Sequence, residues 1–132
     1  MSEPDSAAAF EDIPGTLVFN ADRSRRGYHL NMFCMSLMKA ENRDEFRADE
    51  RAYLAKWPMT DEQRQSILDR DWNRMLELGG NIYFTAKLAG TDSLSFQQIA
   101  AMMTGKTQQE YADMMIAGGR SVEGNRSKSE WK

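Results

Sequence analysis

The 132-residue chain is short of the residues on which much protein chemistry depends. It has one cysteine, Cys34, and one histidine, His29. A single cysteine cannot close an internal disulfide, which fits a reducing compartment. A single histidine excludes, within one chain, an iron site of two His and a carboxylate, and also a His-x₃-His zinc motif. Neither GxGxxG nor GxxxxGKS/T occurs, so no phosphate loop is evident. No apolar run approaches the roughly 18 residues of a membrane span. The opening MSEPDSAAAF is acidic and has no basic n-region, unlike a signal peptide. The expected location is the cytoplasm. The balance of 17 Lys+Arg against 20 Asp+Glu leaves a formal net charge of −3. Such a chain has no electrostatic reason to bind nucleic acid or an anionic membrane.

β-Branched residues are also scarce. There are two valines, Val18 and Val122, and five isoleucines, whereas Ala, Met and Leu are far commoner. Small and straight-chain side chains favour helix, and β-branched ones favour strand. Of the three prolines, Pro4, Pro14 and Pro58, none falls after residue 58. These features predict an all-α fold: a compact single-domain bundle of about six helices with short loops. The expected helices are Ser24–Ala40, Asn42–Lys56, Asp61–Leu78 with a possible break near Asp71, Ile82–Ala89, Phe96–Thr104 and Gln108–Ala117. Thr60-x-x-Gln63, Ser95-x-x-Gln98 and Thr107-x-x-Glu110 match the capping box, which predicts three helix starts. Gly79-Gly80, Gly90, Gly105 and Gly118-Gly119 stand where helices should stop. The helical domain is expected over residues 12–118, between a flexible N-terminal arm (1–11) and a polar, Gly/Ser-rich tail (119–132), both extended.

Among the apolar residues, the first expected helix stands out. Tyr28, Leu30, Met32, Phe33, Cys34, Met35, Leu37 and Met38 cover nearly its whole circumference at 100° per residue. A helix apolar all round must be buried on all sides. Either it is the central helix of the domain, or part of its surface faces another chain. Ten methionines suit an adaptable interface, but they also fill cores.

The chemistry-bearing residues read as structure before they read as catalysis. Cys34 lies in the apolar first helix and reads as a buried, inert thiol. Its i, i+5 spacing to His29 sets the two about 140° apart, which is poor for a dyad. His29 reads as a packed or surface histidine. Asp44-Glu45 and Asp61-Glu62 occupy first helical turns, where carboxylates complement the macrodipole. Arg23, Arg25 and Arg26 form either a solvated face or an edge that pairs with anions at an interface. Phe96, at a helix start beside Gln97 and Gln98, reads as core, or as one wall of a pocket for an anionic aromatic ligand. Taken alone, these residues describe a helical binding or accessory subunit.

A set of ordered motifs carries a more specific signal: DIPGT (Asp12–Thr16), GYHLNMF (Gly27–Phe33), MSLMKAENR (Met35–Arg43), GGNIYF (Gly79–Phe84), SFQ (Ser95–Gln97), MTGKTQQEYADMM (Met103–Met115) and GGRS (Gly118–Ser121). In this order and spacing the chain resembles the small (α) subunit of protocatechuate 4,5-dioxygenase, an extradiol ring-cleaving enzyme. The resemblance runs from about Asp12 to Arg126. It implies an α₂β₂ heterotetramer in which Fe(II) is bound by the large (β) subunit, through two His and a carboxylate, and not by this chain. The small subunit would cover the mouth of that active site. The implied reaction is O₂-dependent meta cleavage of protocatechuate, or of a similar catechol, at the shared site. The resemblance further implies Phe96 near the bound aromatic and the DIPGT turn, with Ile13 and Pro14, close to the subunit interface. The apolar first helix adds Met35 and Met38 to the expected interface. No residue of this chain is expected to be catalytic or to bind metal. The alternatives are a small subunit of a gallate- or methylgallate-type dioxygenase, or a stand-alone helical interaction protein.

Overall fold

The computed structural model describes residues 17–119. The expected N-terminal arm, Ile13 and Pro14 in the DIPGT turn, and the tail beyond residue 119 lie outside the described residues. Within them the fold is all-α, with no strand. Nine helices follow one another: α1 (Ala21–Arg26), α2 (Tyr28–Ser36), α3 (Ala40–Ala48), α4 (Glu50–Leu54), α5 (Asp61–Leu68), α6 (Trp72–Glu77), α7 (Ile82–Thr91), α8 (Phe96–Met103) and α9 (Gln108–Ile116).

Nine helices appear among the described residues, where six were expected, because three of the expected helices are each divided in two, the third at the break marked near Asp71. The break between α1 and α2 falls at Gly27, where the chain passes against Gly79. A Cβ on Gly27 would overlap the Gly79 carbonyl. Gly79 has φ +102°, and a Cβ there would lie 2.5 Å from the Gly27 nitrogen and 2.7 Å from the Arg23 carbonyl oxygen. Only glycine fits either side of this crossing. The second break is at Asp49, whose extended backbone lets its carboxylate accept from the Ala52 N–H and start α4. The third is at Asp69–Asp71, where Asp71 caps α6 by accepting from the Arg74 N–H at 3.1 Å.

All three capping boxes form: the hydroxyls of Thr60, Ser95 and Thr107 each accept from the backbone N–H three residues on, whose side chain accepts in return from the cap's own N–H. Gly90 does not end its helix as expected. It lies inside α7, which runs on to Thr91, and the left-handed residue that turns the chain is Ser93, with φ 62°.

The core gathers around α2. Leu30, Phe33, Cys34 and Leu37 are buried, with Phe46 of α3, Tyr53 and Leu54 of α4, Ile67 of α5, Met75 of α6 and Leu88 of α7. The rings of Phe33, Phe46, Tyr53 and Trp57 form a cluster with centroids 5.2–6.5 Å apart. Arg70 ties three segments across this core. It pairs with Glu50 at the start of α4 (2.9 Å) and with Asp92 after α7 (2.6 Å), and lies over the Phe46 ring. Burial works against its charge, but hydrogen bonds to Asp92 and Glu50 outweigh that and hold the guanidinium firmly protonated. At the far end, α9 packs on α8 and buries none of its own residues.

Candidate functional site

Two of the motifs that carry the resemblance, GYHLNMF and GGNIYF, meet in space, and several of the motifs' polar residues serve the architecture. Asn31 of GYHLNMF is buried. Its amide donates to the Gly79 carbonyl at 3.1 Å and its oxygen accepts from the Asn81 N–H at 2.9 Å, which binds α2 to the GGN turn before α7. Gln63 uses its amide in the same way, donating to the carbonyls of Arg26 (2.9 Å) and Leu78 (3.0 Å). In MSLMKAENR, Asn42 donates to the Ser36 carbonyl and Arg43 to those of Leu37 and Met38. These three carbonyls lie at the C-terminal end of α2, where helical partners run out.

Cys34 is fully buried, and burial pushes its thiol up to about 12, a shift opposed only weakly by Lys87. The thiolate is the reactive form, so this sulfur is inert at neutral pH. His29 stands apart from it, with an edge contact to Tyr28. Arg25 and Arg26 are exposed and pair with Asp22 on the same helix. Arg23 is drawn in instead: its guanidinium donates to the Val18 carbonyl at 2.7 Å. With Leu17, Phe19, Leu76, Ile82 and Tyr83 it lines a mainly apolar recess of about 200 Å³.

Of the two readings of the first helix, the structure corrects the one that buries it on all sides within this chain. At 100° per residue, Leu30, Phe33, Cys34 and Leu37 fall on one side of α2 and its continuation, and these are the buried residues. Tyr28, Met32 and Met35 fall on the opposite side. Tyr28 is 55% exposed, Met32 and Met35 are half-buried, and Met38 beyond the helix is 59% exposed. The outer face borders an open groove of about 810 Å³, also lined by His29, Ser36, Lys39, Asn42 and Trp57. So of the two methionines expected at an interface, Met35 lies on the open face of α2 and Met38 just past its end, and both border the groove.

Phe96 is not core, contrary to one of its two readings. It is the first residue of α8, immediately after the Ser95 cap, and is 63% exposed. It stays exposed although Ile99, one turn further along α8, is buried. Exposed apolar residues continue along the α8–α9 pair at Met102, Met115 and Ile116. Sequence reasoning missed Lys39, which borders the groove and makes no side-chain hydrogen bond or ion pair with the described residues. Nothing in the sequence marked it, because it lies past the end of α2, at the extended start of α3.

Among the described residues, no group of three or more His, Cys, Asp or Glu side chains could hold a metal ion. No described helix is long and apolar enough to cross a membrane. The family model for the LigA subunit of the aromatic-ring-opening dioxygenase LigAB matches residues 30–116. The chain belongs to the LigA family. A gallate dioxygenase from Pseudomonas putida (strain KT2440) is 25% identical over 104 residues, 79% of this chain. The match covers 31% of that enzyme, so the LigA chain spans about a third of the length of its curated relative. The LigA match takes in the buried α2 residues, the GGN turn, the SFQ cap and all of α9.

Proposed function

We propose that this LigA chain is the small (α) subunit of a dioxygenase of the protocatechuate 4,5-dioxygenase type, working as a cytoplasmic α₂β₂ heterotetramer. The observation that carries the proposal is the partial overlap with the gallate dioxygenase: more than two thirds of that protein has no counterpart in these 132 residues. The missing portion is the part a large subunit would supply. The described residues do not fit a resident metal ion, so Fe(II) is assigned to the large subunit, where it would supply Lewis-acid and redox chemistry.

The reaction proposed for the complex joins O₂ to protocatechuate and breaks the C4–C5 bond. It yields 4-carboxy-2-hydroxymuconate semialdehyde with both oxygen atoms retained. This chain would wall the reaction chamber and exclude water from it. Phe96 is the candidate contact to the aromatic ring: a large apolar side chain left 63% exposed at a helix start is available to pack against something outside this chain. The relative's name favours a second reading, in which the same architecture serves gallate.

Both readings are tested on the assembled complex. Phe96→Ala should raise KM or lower kcat by about tenfold, the scale of one lost apolar contact to substrate, with iron content unchanged. Loss of iron in that variant would instead make Phe96 a support of the interface. Ring opening measured with protocatechuate and gallate side by side decides between the substrates. Failure of the complex to open either ring contradicts the proposal.

A further inference from the structure

We infer that Arg70 and Asn73 are positioning residues for Phe96: from the break between α5 and α6 they hold the two ends of α8, and so fix where its first residue stands. The inference rests on the reading of Phe96 given above and says what aims that ring.

Three observations carry it. The first is the placement of two polar contacts. Arg70 leaves the break with φ 53°, and its Nε and Nη2 donate to the Asp92 carboxylate at 2.6 and 3.2 Å. Asp92 closes α7, Ser93 turns the chain with φ 62°, and Phe96 opens α8 three residues later. At the other end of α8 the Asn73 amide donates to the Met103 carbonyl at 3.0 Å. The segment 70–73 thus reaches both ends of an eight-residue helix. The second is that both contacts start from fixed ground. Arg70 also pairs with Glu50 at 2.9 Å and lies over the Phe46 ring. Asn73 belongs to α6, which buries Trp72 and Met75. The third is what else holds α8. Its inner side is apolar: Ile99 and Ala101 are buried, and Leu94 just before it and Met103 at its end pack against the core. Burial of apolar surface has no direction, so it resists separation more than tilt. Hydrogen bonds are directional and resist tilt. α9 packs on α8 but buries none of its own residues, so it adds no anchor in the core. From Met103 to Phe96 α8 is about 10 Å long, and a tilt of about 10° about its far end would carry Phe96 about 2 Å. Displacements of that size are enough to spoil a substrate contact.

The test is made on the assembled complex, with protocatechuate as substrate. Asn73→Asp keeps the shape of the side chain and removes the donor. At the second position of α6 a carboxylate also suits the helix start, so the fold should be kept. Asp92→Asn leaves only one acceptor of the bidentate pair. Each should raise KM or lower kcat about threefold, a part of the roughly tenfold expected for Phe96→Ala, with iron content unchanged. In a Phe96→Ala background each should have no further effect, because no ring is left to aim. The same threefold change in that background, or no change in the wild-type chain, overturns the inference. Hydrogen exchange on the full chain checks the anchoring without turnover. Asn73→Asp should speed exchange of the amides of residues 99–103 about tenfold, while those of α2 keep their rates. Unaltered exchange in α8 overturns the inference whatever the kinetics. If Phe96→Ala alone leaves KM and kcat unchanged while α8 exchange rises as expected, the anchors stand and it is the reading of Phe96 that has failed.

Discussion

Gly27→Ala is expected to abolish the native fold or come close to it. The added methyl would occupy the same space as the Gly79 carbonyl, which is backbone on a turn held by Asn31 and Gln63 and cannot swing aside as a side chain would. Relieving the overlap means separating α1 and α2 from the α6–α7 turn, and with it breaking the bonds from Asn31 to Gly79 and Asn81. The cost should reach about 4 kcal/mol or more, in the range reserved for diagnostic core defects. That is a large part of the roughly 5–15 kcal/mol by which a domain is stable. Gly90→Ala is the internal control. Gly90 lies within α7, and a Cβ there meets nothing within 4 Å. Alanine should stabilise the helix by up to about 1 kcal/mol. Thermal unfolding followed by circular dichroism should therefore move in opposite directions for the two variants. Equal and small shifts would mean that the Gly27–Gly79 crossing is not as close as described.

Phe33→Ala is expected to have the next largest effect on stability. Phe33 is fully buried, and its ring meets Phe46 at 5.2 Å, Tyr53 at 5.9 Å and Trp57 at 6.5 Å. Deleting it leaves a cavity among three other rings, two of them fixed by α3 and α4 and the third, Trp57, just after α4, so collapse around the gap is limited. The expected loss is about 3–5 kcal/mol. It would be read as a lower urea midpoint with an unchanged slope. The same substitution at exposed Phe96 should change stability by no more than about 0.5 kcal/mol. The contrast separates the two aromatics cleanly: Phe33 acts through the fold of this chain, and the proposed role of Phe96 is exercised only in the complex.

The residues that were legible beforehand are those whose role is local. A hydroxyl followed three residues later by Gln or Glu satisfies orphan N–H groups wherever it occurs, so Thr60, Ser95 and Thr107 announced their helices. Scarce valine and proline indicated the helical class on similar grounds. The break at Gly27 was not legible, because its cause is a segment more than fifty residues away. Gly90 was misread for the converse reason. A glycine can end a helix, but the chain turns at Ser93 instead. Phe96 showed the limit of composition, since an aromatic at a helix start carries no mark of which way it projects. Around α2 the pattern was clear and its meaning was not. Apolar residues on every side suit either a central helix or one that meets another chain, and the sequence did not say which; within this chain one face of α2 is left open.

The same motifs that identify the family turn out to be mainly structural. GYHLNMF and GGNIYF build the crossing at Gly27 and Gly79, and ENR closes the end of α2. These contacts hold α2 rigidly by its inner face and its ends, and so hold its outer face in a fixed shape.

The most direct test of the division of labour is metal stoichiometry together with oxygen uptake. This chain and its large subunit would be purified separately, each incubated with ferrous iron under anaerobic conditions, and assayed alone and mixed. The account predicts stoichiometric iron on the large subunit, none retained by this chain, and oxygen uptake with ring opening restored to its full rate only on mixing. Stoichiometric iron on this chain, with turnover in the absence of the large subunit, would contradict it.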